Sequence, residues 1–389
     1  MNILLYRYGS ICEPDVIDGF QELGFEVSTI TDEIYDKSID GKKQIALIDQ
    51  ALQRKNYQFV FTINFFPAIS EVCNIYHIPY LSFIVDSPVM ELYSTSISNE
   101  WNRIFLFDKV LYDEFAPYNP SGIFHMPLAT NVQRWDLILS KTAPSNADFS
   151  CDISFVGSLY SEKCPYDRLS FPSAYHKGFL EGIMAAQEKV YGYFFLEESL
   201  DDTLVSAIVS ETSDFYQFPE KSRPNHTAAL AQLYLGAKIT EMERRHLLTA
   251  LGKHFPVTLF SGSDTVGLPV HSRGRVKTHT EMPWVFHQST INLNITAKSI
   301  RSGIPLRIWD ILGCQGFIIS NYQTEIPDFF VPGEDIILYS SEEELTDLCA
   351  YYLSKPKLCR EIAQNAYQKV KEHHSYPIRL TQMLELAFS

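Results

Sequence analysis

Two successive α/β units of the doubly wound kind are predicted by three observations. The first 130 or so residues alternate short apolar strands with helical periods. A polar stretch over 136–150 (DLILSKTAPSNADFS) then breaks the rhythm. Further on, residues 291–320 read as strand, polar loop, helix and strand, a βαβ unit that implies a parallel sheet. A chain of 389 residues with 46% hydrophobic residues can fill two cores.

In order, residues 2–8 form an apolar strand ending at Gly9-Ser10, a plain turn or a backbone approach to a phosphate or sugar. Helical periods at 14–23, 42–55 and from 67 alternate with strands at 25–30, 59–63 and 80–85, followed by strands at 104–107 and 123–126. No G-x-G-x-x-G is present, so the dinucleotide fingerprint is missing. Asp86 follows the strand 80–85 in Val-Asp-Ser-Pro. A carboxylate just past a strand's carboxyl end can take a proton from a hydroxyl or orient a sugar, and Asp before Ser-Pro is equally good turn chemistry. Asp108 ends the next strand in the same way; His77 and His125 read as loop and strand-wall residues.

The expected domains are 1–140 and 150–375, the second with a helical insertion at 166–254, and a terminal helix at 376–389. Phe155-Val-Gly157-Ser158 reads as a new first strand with a glycine loop, whose backbone N–H groups suit a diphosphate, with Lys163 and Arg168 as neighbouring cations. Within the insertion, 175–190, 227–235 and 239–254 have helical periods, and 201–225 is polar and loop-like. Arg244-Arg245-His246 reads as a solvated helix face, with an acceptor or phosphate contact as the alternative. Residues 257–262 restart the sheet, leading to Ser263 in a loop able to hold a base or ribose, and 276–278 reads as a short edge strand. The loop after strand 291–295 carries Lys298 and Arg301, and the helix 306–312 places Arg307 and Asp310 three apart on one face near its N-terminal end. Anions favour that end, an Arg pairs with diphosphate, and a carboxylate one turn on accepts from ribose hydroxyls. The plainer alternative is a surface pair worth about 0.2–0.5 kcal/mol.

Composition narrows the partners. A formal charge of −15 argues against nucleic acid. No apolar run approaches the ~20 residues of a membrane span, and MNILLYRYGS reads as a strand, not a signal peptide. Seven scattered cysteines without a CxxC pair read as reduced thiols of a cytoplasmic protein, and no Cys/His set has zinc-ligand spacing.

Several stretches carry a resemblance: Gly274-Arg-Val, Glu281-Met-Pro, Asn292-Leu-Asn, Ser302-Gly-Ile-Pro-Leu-Arg307-Ile-Trp-Asp310, Gly313-Cys-Gln-Gly316-Phe, Phe329-Phe-Val-Pro-Gly333-Glu-Asp and Tyr351-Tyr-Leu. This text resembles the C-terminal half of group 1-type glycosyltransferases, in the branch that includes the CgeB-like spore-maturation proteins. The resemblance implies a GT-B fold: two Rossmann-like domains facing across a cleft, with the last helix crossing back to the first domain. It implies a nucleotide-sugar donor, a UDP-sugar, on the C-terminal domain and transfer to an acceptor that the sequence does not identify (protein, glycan or small molecule), with no metal or other cofactor required and with retention favoured. Arg307 would offset the leaving diphosphate's charge, supported by Arg301, Lys298 and Lys163, while Asp310 would hold the ribose. Glu325 would contact a sugar hydroxyl, or simply favour the dipole of a short following helix. Asp86 would be the general base if transfer inverts. The region 279–283 would pass near the nucleobase. Two departures stand out: Asp310 where such enzymes commonly carry Glu, and Cys314-Gln315 in place of a small pair. A nucleotide-sugar epimerase of the same fold, or a non-catalytic surface-assembly relative, are the other readings.

Overall fold

The computed structural model describes residues 1–144, 149–162 and 164–389. It divides into two compact units: residues 1–129 with 218–224 and 374–389, and residues 130–217 with 225–373.

The first unit is built on a six-stranded sheet of β1 (Asn2–Tyr6), β2 (Glu26–Ile30), β3 (Val60–Ile63), β4 (Tyr80–Ile84), β5 (Asn102–Leu106) and β6 (Ile123–His125). The strands lie in the order β2-β1-β3-β4-β5-β6, all parallel. Strands β3 and β4 are buried along their whole length, which is why their sequences are continuous apolar runs instead of alternating ones. Side-chain caps start the connecting helices: Asp40 accepts from the Lys43 N–H at 2.9 Å and Asp108 from the Leu111 N–H at 3.0 Å. Asp108 is thus a buried helix cap.

The last helix, Tyr376–Phe388, belongs to this unit and packs on Glu13–Glu22. The approach is close enough that a Cβ on Gly19 would lie 2.8 Å from Leu380. Arg103 Nε donates to the Ala387 carbonyl at 2.9 Å, fixing the helix end. The expected return of the chain is therefore present.

The second unit has its own sheet: β7 (Ile153–Val156), β8 (Val257–Phe260), β9 (His271–Ser272), β10 (Ile291–Asn294), β11 (Ile318–Asn321) and β12 (Ile337–Tyr339). The order is β12-β11-β10-β7-β8-β9, again parallel throughout. Two asparagines in buried β10 keep their polar groups satisfied. Asn292 donates to the Phe286 carbonyl at 2.9 Å and accepts from Ser154 at 2.9 Å, while Asn294 donates to Ser320 at 3.0 Å.

Three local expectations change. Residues 276–278 form no strand, because the Lys277 carbonyl accepts from the N–H groups of Glu281 and Met282 at 2.9 and 3.0 Å and winds the chain into the helix Met282–Gln288. The stretch 201–225 contains the helix Asp202–Glu211, started by Asp201 accepting from the Leu204 N–H at 2.9 Å. The expected helices at 227–235 and 239–254 are one helical run, His226–Ala228, π-helical Ala229–Leu235 and Gly236–Gly252.

The helix Leu306–Gly313 carries the Arg307/Asp310 pair and ends in a Schellman motif. The Gly316 N–H donates to the Ile311 carbonyl at 2.9 Å and the Gln315 N–H to Leu312 at 3.1 Å. That motif needs a left-handed residue, and here Gln315 supplies it at φ 59°. Relief of the Cβ strain in Gln315→Gly should raise stability by roughly 1 kcal/mol; an unchanged or lower urea midpoint would contradict this reading of the cap.

Candidate functional site

In the second sheet the strand order reverses at β7. From there the chain builds β8 and β9 on one side and β10, β11 and β12 on the other. At such a reversal the loops beyond two neighbouring strands lead apart, and the opening beyond their carboxyl ends is where open parallel sheets bind ligands. Here the neighbours are β7 and β10.

Arg244 ties those two ends together. Its Nη1 donates to the Ser158 carbonyl at 2.6 Å, just beyond β7, and its Nε and Nη2 donate to the Ile295 carbonyl at 3.1 and 2.6 Å, just beyond β10. The guanidinium lies over the Phe155 and Tyr160 rings at 5.4 and 5.0 Å. Burial pulls its pKa below the ordinary value, with Tyr160 and Glu243 acting the other way and Arg307 adding to the fall. Arg244 is therefore not the solvated face that the basic cluster predicts. Helical spacing gives Arg245 and His246 more exposed positions: Arg245 donates to the Asp264 carbonyl at 2.8 Å, and His246 lies between Glu188 and Glu342.

A cavity of about 230 Å³ opens beside this clamp. Gly157 and Ser158 from the end of β7, Ser261 and Gly262 from the end of β8, and Arg275 and Arg307 line it, with Val156, Phe260 and Met282 as apolar wall. Arg275 lies directly over Gly262, where a Cβ would be 1.9 Å from its Nε, so only glycine leaves room for the guanidinium. Arg307 stacks over Phe286 at 5.3 Å. Its Nη1 is 2.7 Å from the Met282 thioether and 3.8 Å from Asp310 Oδ2. A thioether is a weak acceptor, so the fork keeps donor capacity for a stronger one. Burial lowers the Arg307 pKa and Asp310 opposes that fall. Arg244 lies close enough for Arg307's charge to act on it, and Arg275 adds a third cation. Against the one lining carboxylate, Glu162, these cations leave the pocket net positive, a charge that suits an anionic ligand.

The floor of the loop is a hydroxyl–carboxylate chain. Ser263 accepts from the Leu159 N–H at 2.7 Å and from Ser261 at 3.0 Å, and donates to Glu162; Glu162 also accepts from Ser158 at 2.9 Å. Burial works to raise the Glu162 carboxyl, but the bonds from Ser263 and Ser158, with Arg275 nearby, hold it below the usual range. Ser263 is thus a strut of the loop.

Of the residues predicted from sequence, the structure brings Gly157, Ser158 and Arg307 to this one cavity, with Ser263 beneath. Asp310 is buried next to Arg307 and accepts from Thr130 at 3.5 Å, itself an acceptor for Trp135 Nε1 at 2.8 Å. Lys298 pairs with buried Glu243 at 3.2 Å, lies 4.1 Å from the Tyr191 ring and donates to the Glu188 carbonyl. Arg301 is 3.7 Å from Glu197. Both line a separate cavity of only about 20 Å³, room for roughly one water. Glu325 accepts from Ser302 at 2.7 Å and joins the loops after β10 and β11. Lys163 lies outside the described residues.

Asp86 is exposed in the first unit, where Asn64 orients it. Asn64 sits at φ 57° just past β3, donates to Asp86 at 2.6 Å and to Tyr8 at 2.9 Å, and accepts from the Val85 N–H at 3.0 Å. Cys164, Asp167 and Glu241 approach one another closely enough for a cation, but the Lys238 ammonium bonds both carboxylates, at 3.1 and 3.0 Å.

Arg275 and Glu162 were not singled out by sequence, whereas Arg244 was read there as part of a basic cluster. Arg275 had a signal in Gly274, which takes φ 71° before it.

Against known proteins, residues 243–385 match a family model described as glycosyl transferase-like. No curated protein matches the chain in sequence. Among solved structures, sucrose-phosphate synthase from Thermosynechococcus elongatus superposes with TM-score 0.54 at 11% identity, over 99% of this chain and 98% of that one. The chain has the GT-B fold. Two further GT-B matches also have TM-score 0.54: Anabaena Alr3699/HepE in complex with UDP-glucose at 10% identity (99% and 98% coverage), and an α,α-trehalose-phosphate synthase (UDP-forming) from Burkholderia vietnamiensis at 11% (99% and 96%).

If the Arg244 clamp holds the second unit's strand ends, Arg244→Met should lower unfolding stability by roughly 3 kcal/mol, through loss of charge-assisted bonds to the buried Ile295 carbonyl and the part-buried Ser158 carbonyl. Arg244→Lys should recover less than half of it, since an ammonium lacks the planar fork. Full recovery by lysine in a denaturant titration would show that the fork geometry is not what matters.

Proposed function

We propose that the protein is a glycosyltransferase that moves a sugar from a nucleotide-sugar donor, a UDP-sugar, to an acceptor hydroxyl. The observation that carries this reading is the cationic cavity beyond β7 and β8, where Arg307 and Arg275 face glycine-bearing loops beside the Arg244 clamp. The glycosyl transferase-like match spans Arg244, Arg275, Arg307 and Asp310, and includes the text that resembles the CgeB-like branch. UDP and UDP-glucose, named for the Anabaena structures, have the chemistry this cavity suits.

In the reaction, the bond between the anomeric carbon and the diphosphate oxygen breaks, and its electron pair leaves on UDP. A new bond forms from the acceptor oxygen to that carbon, and the acceptor loses its proton. Arg307 and Arg275 stabilise the charge gathering on the leaving diphosphate, a role that cationic side chains fill without a metal ion. Asp310 holds Arg307 and, one turn along the helix, supplies the carboxylate for the ribose hydroxyls. Lys298, Arg301 and Glu325 support the site from the loops after β10 and β11 rather than from the cavity wall. Gly157, Ser158 and Ser263 set the loop that receives the phosphates. Asp86, oriented by Asn64, addresses the acceptor: it takes the proton if the anomeric carbon inverts, and positions the hydroxyl if configuration is retained, the outcome that the group 1-type likeness favours.

Titration calorimetry should show UDP binding to the wild type. Arg307→Ala should weaken it by about 1.5–3 kcal/mol, roughly ten- to a hundredfold, as expected for a lost charge-assisted bond. An unchanged dissociation constant would remove Arg307 from the site. With a competent acceptor, Asp86→Asn should lower kcat by about a hundredfold or more if it is the base, read by mass spectrometry of product. A fall of less than fivefold would restrict it to positioning.

A further inference from the structure

The first unit carries a second cavity, of about 710 Å³, at its own point of strand reversal. Tyr8 follows β1, Asn64 and Phe66 follow β3, and Asp86 follows β4, so the loops beyond three adjacent strands form its wall. Its charge is one-sided. The described lining includes the carboxylates Glu33, Asp86 and Glu91 and no lysine, arginine or histidine. Of two nearby cations outside that lining, Arg7 is ion-paired with Glu13 at 3.0 Å, and Lys37 donates to the Tyr8 carbonyl. Between the carboxylates lie flat or ring-shaped surfaces, Tyr8, Phe66 and Pro88, with the amides of Gln44 and Asn64 among them. Two of the carboxylates are held in place: Glu33 accepts from Gln44 at 3.1 Å and Asp86 from Asn64 at 2.6 Å, each keeping lone pairs for further donors.

We infer that this cavity binds an uncharged saccharide as the acceptor and turns away phosphorylated sugars. Ionised carboxylates only accept hydrogen bonds, and sugar hydroxyls are donors that meet them well. Aromatic and proline faces pack against the C–H faces of a pyranose. A phosphate brings up to two negative charges to a wall lined by three carboxyl groups, of which burial beside Asp86 already raises the Glu91 pKa, and whose described lining has no cation to offset them. The acceptor role rests on the transferase reading; the choice of neutral over anionic sugar rests on the cavity alone.

The test uses the full chain and saturation-transfer NMR with neutral glycosides (methyl α-glucoside, maltose and methyl β-galactoside) against glucose 6-phosphate, and calorimetry with UDP on the same samples. At least one neutral glycoside should bind ten or more times better than glucose 6-phosphate. In the double variant Glu33→Gln, Glu91→Gln, with an unchanged urea midpoint as the sign of an intact fold, that preference should shrink at least threefold. Glucose 6-phosphate binding as well as every glycoside, or no glycoside binding while UDP does, overturns the inference and leaves the donor reading standing. Glycoside binding with the stated preference, but no UDP binding, keeps the cavity assignment and removes the transferase reading.

Discussion

A buried guanidinium sets the geometry on which the second unit's site depends. Parallel strands end with carbonyl groups whose partners must come from loops, and at a strand reversal those loops part. Arg244 supplies donors to both sides of the gap, to Ser158 and Ile295, and aromatic rings take its faces. Placing a charge inside the fold costs desolvation, offset here by carbonyl dipoles, ring faces and the neighbouring carboxylate of Glu243. The same cation leaves positive potential beside the cavity where Arg307 and Arg275 stand.

The first unit meets the same problem with a neutral group. Asn64, in a left-handed backbone conformation just beyond β3, uses its amide to hold Tyr8, Val85 and Asp86. Asparagine tolerates that conformation better than most residues and has both a donor and an acceptor to share. The two cavities therefore differ in balance: two arginines against Glu162 line one, and carboxylates alone carry the charge of the other's described lining. On the proposed transferase reading, leaving-group charge and acceptor hydroxyls ask for that difference.

Strand positions were legible in the sequence because parallel strands covered on both faces are bounded apolar runs; Tyr80–Ile84 and Ile337–Tyr339 are examples. The helix Gly41–Arg54 was legible from its period at 42–55, while its start is fixed by Asp40, whose side chain accepts from the Lys43 N–H. The helix Asp202–Glu211 was hidden by the polar residues around it, although Asp201 caps it. The lining of the candidate cavities was legible where it follows a strand end, as with Gly157 and Ser158 in one and Asp86 in the other. It was not legible at Arg244, because a lone sequence cannot show which face of an amphipathic helix meets the sheet, and Arg244 adjoins two residues that do face outward. Spacing joined Arg307 to Asp310, but only packing shows that the carboxylate is nearly buried while the guanidinium reaches the cavity.

The central claim is that the cavity beyond β7 and β8 receives a sugar donor's diphosphate. A crystal structure of the protein with UDP tests it most directly. Density for the two phosphates within hydrogen-bonding distance of the Arg307 guanidinium and the backbone at Gly157 or Ser158 is the result this account predicts. UDP seated elsewhere, with Arg307 still held only by Met282 and Asp310, would contradict it.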